Sequence, residues 1–239
     1  MKILVDTHVH TISSGHAYST IDEIAKFAKS QNLEAVAITD HTEGLPGGAH
    51  PFYFGNIRVL PDYIRGVRIF KGVEVNIIDY HGNVDMEADV LESLDIVVAS
   101  LHPPCIPFAD KEVITKTLMK TIENPNVDII GHPGDNRYPM DFETIVKHAK
   151  AHKVLLEVNN ASLRPTSIRE GVRENLVEIL KLCIKYENPI VVASDAHFHE
   201  DVGGLAESIE LLEEVNFPEH LIMNQNKDRL MNFIEKRRM

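Results

Sequence analysis

The chain has 239 residues, 44% hydrophobic and 25% charged, which excludes a disulfide-stapled miniprotein, a collagen-like fibre and a mainly disordered tail. Lys+Arg 24 against Asp+Glu 36 gives a net charge of −12 with no basic tract, which argues against a generic binder of nucleic-acid backbones. Histidine is over-supplied, with 13 residues in a chain that has no Trp and two Cys.

The chain opens on Met1–Asp6, where a carboxylate follows three apolar residues and leaves no room for a signal-peptide core. The apolar runs Ile96–Ala99 and Ile190–Ala193 fall far short of the ~20 residues of a membrane helix. Cys105 and Cys183 form no metal-type spacing, and the expectation is a reduced, cytoplasmic protein without a membrane.

Strand-like and helix-like segments then alternate. Lys2–Asp6 reads as the first strand, and Thr20 with Glu23 forms a capping box for a helix through Gln31. Glu34–Thr39 and Val67–Val73 read as the second and third strands, separated by a loop holding Gly44, Pro46, Gly47 and Gly48. Asp95–Leu101 leads to a helix over Lys111–Ile122, and Val127–Gly131 to one over Phe142–Ala151. Val154–Val158 precedes a long helix over Arg169–Tyr186. Ile190–Ser194 is followed by a helix over Leu205–Val215, and Lys227–Arg238 reads as an amphipathic terminal helix packed on the outside. Seven βα-like units without a linker or repeat predict one α/β domain over residues 1–239. Its parallel sheet closes into a barrel, with a doubly wound open sheet as the alternative.

The metal-capable residues fall where that rhythm puts strand ends. The first strand runs into His8 and His10, the second into Asp40 and His41, and the third into Glu74. The fourth and fifth end at His102 and His132, and the seventh at Asp195 and His197. In parallel barrels this rim carries the active site. Residues i and i+2 of an extended chain point the same way, so His8 with His10, and Asp195 with His197, can each grip one ion. Imidazole plus carboxylate suits zinc, manganese or iron. Asp6, two residues before His8 on the same strand face, and Asp40, beside His41, read as carboxylates that orient neighbouring imidazoles. His50, His81, His148, His152, His199 and His220 read mostly as solvated side chains. Arg58, Arg137, Arg164, Asn159 and Asn160 are rim residues that could meet a substrate, and Glu157 shares a strand face with Asn159.

These motifs resemble the PHP (polymerase and histidinol phosphatase) superfamily. The carrying residues are Asp6-Thr7-His8-Val9-His10, Ile38-Thr39-Asp40-His41, Gly72-Val73-Glu74, Ser100-Leu101-His102, Gly131-His132-Pro133 and Ser194-Asp195-Ala196-His197. Within it the chain is most similar to the YcdX-type phosphatases, through Gly15-His16-Ala17-Tyr18-Ser19-Thr20, Leu156-Glu157-Val158-Asn159-Asn160 and the Arg229–Ile234 stretch. The resemblance implies a distorted (β/α)7 barrel with three divalent ions at the C-terminal ends of its strands, zinc in the first instance, with Mn2+ or Fe2+ as alternatives. One ion would take His8, His10, Glu74 and Asp195, a second Glu74, His102 and His132, and a third His16, His41 and His197. The implied reaction is hydrolysis of a small phosphate ester by a metal-bridging hydroxide, with Glu74 and Asp195 as catalytic residues and Asp195 a proton acceptor. The resemblance admits a homotrimer. Alternatives are a histidinol-phosphate phosphatase or other phosphoesterase of the superfamily, and a non-catalytic metal binder. A further alternative is an amidohydrolase-type enzyme cutting C–N bonds, although such enzymes usually carry a bridging lysine where this chain has His102.

Overall fold

A computed structural model describes all residues, 1–239. Eight strands form the sheet: β1 (Val5–Val9), β2 (Ala35–Ile38), β3 (Tyr63–Ile64), β4 (Val67–Asn76), β5 (Ile96–Ser100), β6 (Ile129–Ile130), β7 (Leu155–Asn159) and β8 (Ile190–Ala193). Seven of them run parallel in the order β1-β2-β4-β5-β6-β7-β8, and β3 adds antiparallel to β4. The helices are α1 (Ile21–Ser30), α2 (Pro51–Asn56), α3 (Ala88–Glu92), α4 (Lys111–Glu123), α5 (Phe142–His152), α6 (Asn160–Leu163), α7 (Val172–Tyr186), α8 (Ala206–Glu214) and α9 (Lys227–Arg238). The capping box at Thr20 and Glu23 forms as read from the sequence.

The sheet closes almost completely into a barrel, and side chains stitch its seam. β1 and β8 meet through one backbone bridge, Val9 to Ala196, and through His10 N–H donating to the Ala196 carbonyl. Below it, the Asp6 carboxylate accepts from Ser194 N, Ser194 Oγ and Gly203 N. Lower still, Asn224 Nδ2 donates to the carbonyls of Val5 and Val192 while its Oδ1 accepts from Val192 N. The fold is therefore a distorted (β/α)7 barrel.

Strand alternation explains why a polar site sits on an apolar barrel. The lower interior holds Val5, Ala35, Ala37, Phe70, Ile96, Val98, Ile129, Leu155 and Val191. Continuing with period two up those strands brings Thr39, Glu74, Ser100, Glu157 and Asp195 into the upper interior. A second, larger apolar layer of 50 residues fills the space between strands and helices.

Three expectations need correcting. β1 begins and ends three residues later than expected, so His8 lies within it and not beyond it; the seam bonds to Asp6 let a carboxylate sit inside a strand. β4 runs on past Val73, which places Glu74 inside a strand and fully buried. The terminal helix does not pack only on the outer wall. Leu230 and Ile234 of α9, with Met223, join the interior cluster and plug the base of the barrel. Beyond them, Arg238 donates to the buried Asp128 carboxylate and to the Leu94 carbonyl.

Candidate metal centre

The barrel mouth gathers all nine side chains singled out as ligands. Glu74, fully buried, is at the middle. Its Oε2 lies 3.2 Å from His8 Nε2, 3.5 Å from His10 Nε2 and 2.7 Å from His41 Nδ1. Its Oε1 lies 3.4 Å from His102 Nε2 and 3.0 Å from His132 Nε2. Asp195 Oδ1 lies 3.2 Å from His10 Nε2 and 3.8 Å from His8 Nε2. His197 stacks obliquely on His10, with ring centroids 4.4 Å apart. His16 completes the outer edge, its ring 5.0 Å from His41 and 4.9 Å from His197. His41 leans further toward Glu74 than the grouping His16, His41 and His197 implies, since its Nδ1 sits against the central carboxylate.

Local backbone brings the outlying members in. Gly15 has φ +76°, and a Cβ there would lie 2.5 Å from the Gly47 carbonyl oxygen, so close backbone approach sets His16 over the mouth. His132 and Asp195 adopt positive φ, 29° and 56°, which is uncommon outside glycine although His and Asp tolerate it better than most residues. Backbone strain of this kind costs about 1–3 kcal/mol and persists where surroundings over-determine it.

Four imidazoles have their Nδ1 committed, which turns Nε2 inward. His8 Nδ1 is 2.7 Å from Glu157 Oε1, and His102 Nδ1 is 2.7 Å from Asn76 Oδ1. His10 Nδ1 meets Ser14 Oγ at 3.2 Å, and His197 Nδ1 meets the Asp195 carbonyl at 3.0 Å. The acceptors are themselves held. Ser14 Oγ donates to Asp40, which also accepts from Thr11 and Tyr53; Asn76 donates to Asp85 and Thr42. Asp40 therefore orients His10 through Ser14 and not its sequence neighbour His41. Asp6 is spent on the barrel seam, and the carboxylate that orients His8 is Glu157. Glu157 also accepts from His132 N at 2.6 Å and Asn159 Nδ2 at 3.0 Å, and Asn159 Nδ2 reaches Asp195 Oδ2 at 3.2 Å.

What remains is a set of buried polar atoms that face one another and Asp195 without a well-formed hydrogen bond: His8 Nε2, His10 Nε2, His41 Nδ1 and Glu74 Oε2. Such atoms are rare in folded proteins, and four around one point call for a ligand. Their donor set, imidazole nitrogens about a carboxylate, is that of a divalent metal centre. Ligand-capable atoms of His8, His10 and Glu74, of His41, Glu74 and His102, and of His10, His41 and His197 each fall within 4.8 Å of one another.

The electrostatics agree. Burial lowers His10 well below the ordinary imidazole value, assisted by His41, and pushes His102 down to about 4 against the pull of Glu74. Burial, with His41 and His197, also lowers His16. These imidazoles are neutral at neutral pH, the form that coordinates a metal. His8 is the exception. Burial would lower it, but Glu74, Glu157 and Asp195 together raise it well above the usual range. Burial would raise the carboxyls of Glu74 and Asp195, but the surrounding imidazoles outweigh it and hold both well below their usual values.

A cavity of about 390 Å³ opens beside the centre, lined by His102, His132, Asp195 and His197 on one side. Tyr138, Met140 and Ile168 supply apolar wall, and Arg137, Arg164 and Arg169 supply charge. Arg137 is paired with Asp135 and Arg164 with Asp201. Arg169, absent from the expected rim set, donates to Ser162 Oγ at 2.9 Å and lies 3.4 Å from Asp195 Oδ2. The sequence pattern hid it inside a helix, whereas α7 begins at Val172 after Gly171 takes φ +63°. Asn159 lies beneath the centre, Asn160 is tied to Glu207 and Ser208 of α8, and Arg58 sits exposed on a short 3-10 helix, Ile57–Val59, outside this cavity. Of the remaining histidines, His50 caps α2 and His199 bonds Ser19.

No helix is long and apolar enough to cross a membrane. The PHP domain model matches residues 6–235. A protein named "Probable phosphatase" from Thermoanaerobacter sp. (strain X514) is 44% identical over 239 residues, which cover 100% of this chain and 97% of the relative. Among solved structures, histidinol phosphate phosphatase from Lactococcus lactis, complexed with Zn, L-histidinol and phosphate, superposes with TM-score 0.63 at 16% identity. That match covers 90% of this chain and 94% of the other. A chain from archaeal ribonuclease P with mature tRNA superposes almost as well, TM-score 0.62 at 13% identity, covering 98% and 90%. Likeness at such identities concerns the fold alone, so function has to be argued from the site.

Proposed function

We propose, for a chain that belongs to the PHP domain family, that it is a metal-dependent phosphatase hydrolysing a small phosphate ester at the barrel mouth. The observation that carries this reading is the convergence of four buried polar atoms without a well-formed hydrogen bond, on His8, His10, His41 and Glu74, within a ring of oriented imidazoles. The naming of a full-length relative as a phosphatase, and a neighbour of like fold holding zinc with phosphate, support it. Three divalent ions, zinc in the first instance, would be held by His8, His10 and Asp195, by His102 and His132, and by His16, His41 and His197, with Glu74 shared between the first two. When bound, such ions bring the pKa of water down toward neutrality and neutralise charge on phosphoryl oxygens.

The protein's own residues do the rest. Glu157, Asn76 and the Asp40–Ser14 pair hold three imidazoles in the tautomer that turns Nε2 inward. Arg169, with donors to spare beyond Ser162 and Asp195, is placed to bind non-bridging phosphoryl oxygens. Asp195 Oδ2, 3.2 Å from Asn159 Nδ2, is anchored to accept a proton from an attacking water while Oδ1 faces the imidazoles. The 390 Å³ cavity takes the organic part of the ester against Tyr138 and Met140. A panel of phosphomonoesters, phosphodiesters, amides and lactones tests the assignment. Turnover confined to phosphate esters is expected, and preferred cleavage of an amide or lactone would refute it.

A further inference from the structure

A second group of side chains has metal-ligand character and no part in the proposed reaction. His148 and His152 are four residues apart on α5, which puts both imidazoles on one face. Their ring centroids are 4.5 Å apart. Glu123, the last residue of α4, faces them, with Oε1 3.4 Å from His148 Nε2. Ligand-capable atoms of all three residues lie within 4.8 Å of one another. His148 Nε2 is itself buried and makes no well-formed hydrogen bond, the Glu123 carboxylate at 3.4 Å being its ion-pair partner. Glu123 Oε2 is occupied by Lys120 Nζ at 2.7 Å, which leaves Oε1 for the imidazoles.

We propose that Glu123, His148 and His152 form a separate zinc site on the outer surface of the barrel. Two imidazole nitrogens and one carboxylate oxygen make a zinc donor set, and the exposure of Glu123 and His152 leaves room for water as the fourth ligand. The ion would tie the C-terminal end of α4 to the last two turns of α5, and it would be dispensable for hydrolysis.

The test counts zinc by mass spectrometry in chelator-stripped, zinc-reloaded protein. The unaltered chain is compared with His148→Ala/His152→Ala and with Glu123→Gln, which keeps both imidazoles and the side-chain shape. The double variant is expected to hold about one ion fewer per chain while hydrolysing phosphate esters at the unaltered rate. Glu123→Gln is expected to bind that ion more weakly, and zinc is expected to raise the Tm of the unaltered chain more than that of either variant. Equal ion counts and equal zinc-induced Tm shifts in all three proteins would overturn the proposal. Loss of an ion together with loss of hydrolysis would overturn it too, because that ion would belong to the mouth. Failure here leaves the ions and activity of the mouth untouched, so the two readings fall separately.

Discussion

Glu157→Gln probes the support beneath the candidate centre without touching any proposed ligand. The Glu157 carboxylate, 1% exposed, accepts His8 Nδ1–H on Oε1, and His132 N–H and an Asn159 amide hydrogen on Oε2. Glutamine keeps the shape but has one acceptor oxygen, so either His8 or the His132 and Asn159 pair faces a second donor. Losing one hydrogen bond to a buried charged group costs about 1.5–3 kcal/mol. Expressed as metal affinity, this lies in the roughly 10–100-fold range found when outer partners of ligating histidines are removed. Zinc affinity is read by competition against a chromogenic chelator at fixed pH, with circular dichroism confirming the fold. Folded Glu157→Gln protein with zinc affinity within about twofold of the unaltered chain would refute the argument that this carboxylate orients His8.

Arg169→Ala is expected to lower kcat/KM for a phosphomonoester by about 10²–10³-fold with bound metal unchanged; kinetics with metal analysis checks both, and a loss of metal would reassign Arg169 to a structural role. The chelated chain should be acid-sensitive in a defined window. His102 is pushed down to about 4 in the folded chain, so between pH 6.5 and 4 the unfolded chain binds a proton that the folded one refuses. Stability therefore falls as pH is lowered through that window, by up to about 3 kcal/mol for this group, and urea unfolding at a series of pH values would show a flat profile if the reasoning were wrong. His8 has the opposite sign: its raised value adds stability that is fully present below pH 6.5 and lost as pH rises through the folded value. Zinc binding near neutral pH should accordingly displace a proton from His8, seen as a calorimetric heat that varies with buffer ionisation enthalpy and is reduced in His8→Asn. Gly15→Ala forces a Cβ to 2.5 Å from the Gly47 carbonyl at φ +76°. It is expected to cost about 1–3 kcal/mol and to weaken the ion nearest His16, and unchanged thermal stability would contradict the close-approach argument.

The barrel and the convergence of the site were legible because both rest on period. Alternation within strands and the recurrence of βα units are written in side-chain polarity, and residues that end a strand in sequence stand at the rim in space. His16 was not legible in this way, since a glycine turn brings it in from a loop, and only the resemblance of Gly15–Thr20 to a known motif singled it out. The orienting partners are hidden from the sequence for a related reason. Asp6 and Asp40 lie beside histidines in sequence, whereas Glu157 reaches His8 from a strand 149 residues away, and Asp40 acts through Ser14. Helical periodicity that runs on through the turn at Gly171 conceals Arg169, and the apolar stripe of α9 does not say which face of the barrel it covers.

The central claim is that ions at the barrel mouth make this protein a phosphatase. Its most direct test adds zinc stepwise to chelated His148→Ala/His152→Ala protein, in which bound zinc reports the mouth alone, and follows phosphomonoester hydrolysis. Hydrolysis is expected to be absent without metal and to rise only as more than one ion per chain binds, levelling near three. Full hydrolysis by the chelated protein, or saturation at a single ion, would contradict the account.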